Sequence, residues 1–281
     1  MLIPYCCSSR AVKYSDMLKP VKSGADLMEE IRQTITATPS LWWLGHAGFA
    51  IRFASITFYV DLCLSEIPGR PRRIAAPLSP ELITNADLVL ATHAHPGHLD
   101  THAAAKILEV SKPARLVLPK SAADLAHSAG VPYARMTTTD SGLRIEFFKD
   151  NLYSRVYAIP SAHPDLDFTP AGGYPYLGYL IRFGRWTIYH AGDCRAYPEL
   201  AAHLKPFNVS VAILPIGGNN FTYAEAARLT ADIGASWVVP MHYGTFSPDL
   251  ENEFVTHMLG HHPEVGFRVF QCGERWTVPE P

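Results

Sequence analysis

A chain of 281 residues, 48% hydrophobic and 18% charged, is long enough to bury a sizeable core and has no signature of disorder. Its formal charge of −2 gives no electrostatic footing for nucleic acid or an anionic membrane, and no apolar run approaches the roughly 20 residues of a spanning helix. Five cysteines (Cys6, Cys7, Cys63, Cys194 and Cys272) without a CxxC pair fit reduced thiols, and Met1–Cys7 lacks the charged and long apolar segments of a secretory leader, so a cytoplasmic protein is expected.

Residues 1–40 read as an arm followed by a short helix around Leu27–Ile31, with acidic residues in its first turns. Residues 41–281 read as one domain. Leu41–Gly45, Phe49–Phe53 and Ile56–Asp61 are strand candidates separated by turns that contain Gly or Ser. The apolar run Ala86–Leu90 reads as a buried strand, followed by a histidine-rich loop, a helix over Thr101–Val110, a strand at Arg115–Leu118 and a helix from Ala122. The second half repeats this order. Strands are expected near Val156–Ile159, Tyr176–Phe183, Trp186–Tyr189, Val211–Leu214 and Trp237–Val239, with helices near Pro198–Leu204, Tyr223–Ile233 and Leu250–Leu259. Two short strands, Phe267–Phe270 and Arg275–Val278, close the chain. Strand-rich openings followed by strand–helix alternation, twice over, imply two packed sheets with helices outside.

The loop Thr92-His93-Ala94-His95-Pro96-Gly97-His98-Leu99-Asp100 carries the chemistry. Imidazole suits zinc, iron and similar ions. Residues i and i+2 at a strand's end can point the same way, and a short turn returns a third ring to the same locus. Three later strand candidates also end on metal-competent side chains: His163 after Tyr157–Ala162, Asp193 after Trp186–Gly192, and His242 after Trp237–Met241.

In these residues, together with Trp42-Trp43-Leu44-Gly45, Asp61 and His190-Ala191-Gly192-Asp193, the chain resembles the metallo-β-lactamase superfamily. The likeness is strongest to the branch containing L-ascorbate-6-phosphate lactonase. The resemblance spans roughly residues 41–246 and implies an α+β fold, a four-layer αββα sandwich with a metal centre at one edge. It implies that His93, His95 and His163 hold one divalent ion, that Asp193 bridges, and that His98 and His242 hold a second. One or two ions (Zn, Mn or Fe) would then activate water for hydrolysis of a small ester, lactone or phosphate-bearing metabolite. The family pattern HxHxDH has Gly97 where its aspartate stands, so a weakened second position is expected, which Gly97→Asp would strengthen.

Asp61 is read as a carboxylate that orients a ligand imidazole. Asp100 is weighed both as a compensating catalytic acid and as the N-cap of the helix at Thr101. His46, Asn219, Asn220 and Tyr243 are candidates for contact with substrate, Tyr174 and Tyr176 for the pocket wall, and Arg70, Arg72 and Arg73 for a phosphate clamp. Partners are expected to be a small-molecule substrate, with no nucleic acid or membrane, and a homo-oligomer is compatible with the chain. Two other readings are a metal-dependent binder or sensor with little turnover, motivated by Gly97, and a nuclease or phosphodiesterase. A di-iron redox centre ranks last, because those relatives carry glutamate where this chain has His95.

Overall fold

A computed structural model of the protein describes residues 17–247 and 250–280. Cys6, Cys7 and most of the expected arm lie outside the described residues. Two seven-stranded sheets face each other, in the orders β14-β1-β2-β3-β4-β5-β6 and β13-β12-β11-β10-β9-β8-β7. The first comprises β1 (Ser40–Trp43), β2 (Phe49–Phe53), β3 (Ile56–Val60), β4 (Leu88–Leu90), β5 (Arg115–Pro119), β6 (Met136–Thr139) and the C-terminal β14 (Arg275–Thr277). The second comprises β7 (Arg144–Lys149), β8 (Leu152–Pro160), β9 (Leu177–Phe183), β10 (Trp186–His190), β11 (Val211–Pro215), β12 (Trp237–Met241) and β13 (Gly266–Phe267). Each sheet runs antiparallel through three pairings and parallel through the next three, which is the repetition of textures expected from sequence.

Strand alternation decides which face meets which layer. Leu41, Trp43, Phe49, Ile51, Phe58, Val60, Leu88 and Leu90 point into the cluster shared with the second sheet. Their neighbours Trp42, Ala50, Tyr59, Val89, Leu116 and Leu118 point outward. There they meet Leu27, Met28 and Ile31 of α1 (Gly24–Gln33) and the buried face of α2 (Thr101–Val110), with α3 (Ala123–Ser128) beside it. On the second sheet α4 (Leu200–Leu204), α5 (Tyr223–Asp232) and α6 (Glu251–His261) supply Leu200, Leu204, Ala226, Ala227, Phe254 and Met258 to the main core. The architecture is the αββα sandwich. No helix among the described residues is long and apolar enough to cross a membrane.

Two strands went unread in the sequence: β6, a polar Met-Thr-Thr-Thr edge, and β7, whose side chains alternate between exposed and half-buried. β13 is shorter than the expected Phe267–Phe270. The chain leaves the sheet there because the Phe270 amide donates to the Tyr243 hydroxyl at 3.1 Å instead of to a strand.

Candidate metal centre

Parallel pairing places the C-terminal ends of β3 and β4, and of β10 and β12, at one edge of the sandwich. Asp61 follows β3, the His93–His98 loop follows β4, His163 follows β8, Asp193 follows β10 and His242 follows β12. Gly192 permits the close approach: its φ is 63°, and a Cβ there would lie 2.7 Å from Thr92 Cβ.

The Asp193 carboxylate stands between two groups of rings. His93 Nε2 and His163 Nε2 lie 3.7 and 3.6 Å from Oδ2, and His95 Nδ1 is 3.0 Å from His93 Nε2. On the other side His98 Nε2 and His242 Nε2 each lie 3.3 Å from Oδ1. His93, His95, His163 and Asp193 each offer a ligand atom within 4.8 Å of the others, and so do His46, His98 and His242 as a second group.

The residues fit divalent cations on an observation independent of any family. His98 Nε2 and Asp193 Oδ1 are buried, face each other at 3.3 Å, and have no aligned hydrogen-bond partner among the described residues. A cation placed between them could take both atoms as ligands. Imidazole nitrogens with one carboxylate are the donor set of zinc, iron and related ions.

A buried hydrogen-bond chain fixes the ligand tautomers. Asp61 Oδ2 accepts from His98 Nδ1 at 2.7 Å and from Thr92 Oγ1 at 2.7 Å, while Oδ1 accepts from the Thr92 amide at 2.8 Å. Having given its proton to Asp61, Thr92 Oγ1 accepts from His93 Nδ1 at 3.0 Å. Both rings are therefore held with Nε2 toward the site. Asp61, His46 and His242 adopt left-handed φ values of 46°, 53° and 74°, an arrangement uncommon outside glycine that collects here around the candidate site.

Burial holds His93 and His46 well below the ordinary imidazole pKa and lowers His242 to about 4, with neighbouring imidazoles adding to the effect for the first two. His95 is lowered by the same causes. Neutral imidazole, the ligating form, is thus favoured. His98 differs. Burial opposes its charge, but the flanking Asp193 and Asp61 carboxylates outweigh burial and raise it to about 10. The Asp193 carboxyl, likewise against burial, is held well below its usual range by His98, His242 and His93. A proton on His98 thus offsets part of the charge of these two carboxylates, and a cation bound there would displace it.

Several expectations require correction. Asp100 is spent on capping: it accepts from the Ala103, Leu64 and Ser65 amides and from Ser65 Oγ, and belongs to neither ligand group. Tyr243 is buried, stacks on Trp43 and donates its hydroxyl proton to the Phe270 carbonyl at 2.7 Å, so it braces the core. Asn220 Oδ1 accepts from the Cys194 amide at 3.1 Å, whereas Asn219 is exposed in the same turn. No hydrogen bond among the described residues ties either amide to the cluster. His46 is 1% exposed and packs on the ligands rather than facing solvent. An aspartate at Gly97 would require the His46 ring to shift, because a Cβ there would stand 2.7 Å from His46 Nε2.

Arg72 is buried and donates to the Cys63 and Ile74 carbonyls, and Arg73 donates to the Ser247 carbonyl. Arg70 is exposed with its guanidinium 5.2 Å from the Phe246 ring, which in turn meets His46 edge-on. Tyr176 does wall the site, with ring centroids 5.2 Å from His93 and His163 and 5.8 Å from His95. Sequence reasoning missed Thr92 and Thr245. The first was signalled by its place between a strand end and the first ligand; the second had no local signal. His190 is structural, donating from Nε2 to the Ala47 carbonyl.

Residues 40–242 match the family model described as the beta-lactamase superfamily domain. A UPF0173 metal-dependent hydrolase of Myxococcus xanthus is 34% identical over 216 residues, covering 74% of this chain and 71% of that protein. The UPF0173 metal-dependent hydrolase TK0141 of Thermococcus kodakarensis is 32% identical over 242 residues, or 83% and 96% of the two chains. Among solved structures, the metallo hydrolase Igni18 of Ignicoccus hospitalis superposes with a TM-score of 0.65 at 25% identity, over 87% of this chain and 100% of that one. The chain belongs to the beta-lactamase superfamily, in the family of UPF0173 metal-dependent hydrolases.

Proposed function

We propose that the protein is a hydrolase of a small ester, lactone or phosphate-bearing metabolite, with His93, His95, His163 and Asp193 holding one divalent ion and His98, His242 and Asp193 a second. The observation that carries this reading is the Asp193 carboxylate, whose two oxygens each face two imidazoles at 3.3–3.7 Å, two of the facing atoms having no other partner. Bound there, such ions would polarise the oxygen under attack and bring the pKa of water toward about 7.

The protein's own residues contribute orientation and charge. Asp61 and Thr92 hold the His98 and His93 rings by their Nδ1 protons. Tyr176 shields the first group, while exposed His95 leaves that side open to a substrate. Arg70, exposed on the rim beside Phe246, is suited to an anionic group on the substrate, which favours phosphate- or carboxylate-bearing molecules over neutral ones.

Fully metallated protein assayed against lactones, phosphodiesters and amides tests the reading. Hydrolysis of one class is expected, with His95→Ala lowering kcat/KM at least about a hundredfold, a loss of roughly 2.7 kcal/mol in transition-state binding. Saturating metal without turnover of any class would instead favour a ligand-binding protein.

A further inference from the structure

The space beside Gly97 is filled. A Cβ there would lie 2.7 Å from His46 Nε2 and 3.0 Å from its Cδ2, so the His46 ring takes the volume a side chain at position 97 would need. Its centroid is 4.1 Å from that of His242 and 5.3 Å from that of His98, and a ring nitrogen of each lies within 4.8 Å of the others. The ring is 1% exposed, and its Nδ1 has no hydrogen-bond partner among the described residues.

The backbone is clamped to aim this ring. His46 sits at a φ of 53°, its amide donates to Thr245 Oγ1 at 2.7 Å, and its carbonyl accepts from Trp43 Nε1 and the His242 amide, both at 3.0 Å. A non-glycine residue in this region is normally disfavoured, so three hydrogen bonds are holding a strained placement. A buried imidazole with an unpaired nitrogen, held among two candidate ligands, is arranged for a shared cation better than for packing alone.

Resting on the two-ion reading above, we propose that His46 is the third imidazole ligand of the second ion, in the place that a side chain at position 97 would otherwise fill. The second position is then His46, His98, His242 and Asp193 Oδ1. Three nitrogens and one oxygen favour zinc, cobalt or iron over manganese or magnesium, which prefer oxygen-rich sets. The glycine and the histidine form a compensating pair: the absence of a Cβ at 97 is what lets the ring in.

The test reads bound metal rather than turnover. Wild type and His46→Gly, which accepts the left-handed backbone without strain, are stripped with chelator and reloaded with zinc or manganese. Ions per chain and calorimetric Kd are then measured. Two zinc ions per wild-type chain are expected, and in His46→Gly the second is at least about tenfold weaker while the first is unchanged. His46→Gly/Gly97→Asp should recover the second ion and tolerate manganese there. His46→Gln, closer in size, should show the same weakening if His46→Gly melts too early to titrate. Two undiminished zinc sites in a folded His46 variant overturn the proposal, and so does a wild-type chain that holds one ion. A wild-type chain that holds none overturns the hydrolase reading along with it.

Discussion

An imidazole that ligates through Nε2 must carry its proton on Nδ1, and a single fully buried carboxylate settles this for two rings here. Asp61 takes the His98 proton directly and the His93 proton through Thr92, at 2.7, 2.7 and 3.0 Å along the chain. Asp61→Asn keeps the shape but turns one acceptor into a donor facing either the Thr92 amide or His98. Ion affinity should fall about 10–100-fold by calorimetric titration, with secondary structure retained; unchanged affinity would contradict this role. At this scale the candidate ligands and Asp61 were legible and the other supports were not. His93, His95 and His98 share one loop, and His163, Asp193 and His242 each end an apolar run, so local pattern found them. The amide of Asn220, the phenol of Tyr243 and the ring of His46 take partners 26 or more residues away. Nothing in their neighbourhoods announces those pairings.

Among the elements, α2 is where two readings of one residue separate. Asp100 accepts from the Ala103 amide of the first turn and from the Leu64 and Ser65 amides of the loop after β3, tying that loop to the helix start. Removing the carboxylate leaves buried amides unpaired. Asp100→Ala should therefore lower unfolding stability by about 2–3 kcal/mol in urea titrations while leaving ion stoichiometry untouched. A loss of bound metal at full stability would return Asp100 to the site. Helix α2, from Thr101 to Val110, was readable to the residue because an N-cap aspartate and an apolar stripe agree. β6 was not, because a four-residue edge of mostly threonine buries too little to show a period. In β7 alternation was present, yet Phe148 is exposed and its apolar partners only half-buried, which blurred the pattern.

Over the whole molecule, neither sheet holds the site alone. The first supplies His46, Asp61, His93, His95 and His98; the second supplies His163, Asp193 and His242. The repeated order of antiparallel and parallel pairings places comparable strand ends at one edge of both sheets. Six candidate ligands scattered over 150 positions of the chain are thereby brought to one locus. The pairing of β14 with β1, which closes the first sheet with the last strand of the chain, left no trace in local pattern.

Diffraction from zinc-grown crystals, recorded above and below the zinc absorption edge, would show whether these side chains from two sheets cage paired cations. Two anomalous peaks should appear on opposite sides of Asp193, one among His93, His95 and His163 and the other against His98 and His242. A fully zinc-loaded crystal with no peak within coordination distance of Asp193 would rule out a metal centre at this edge.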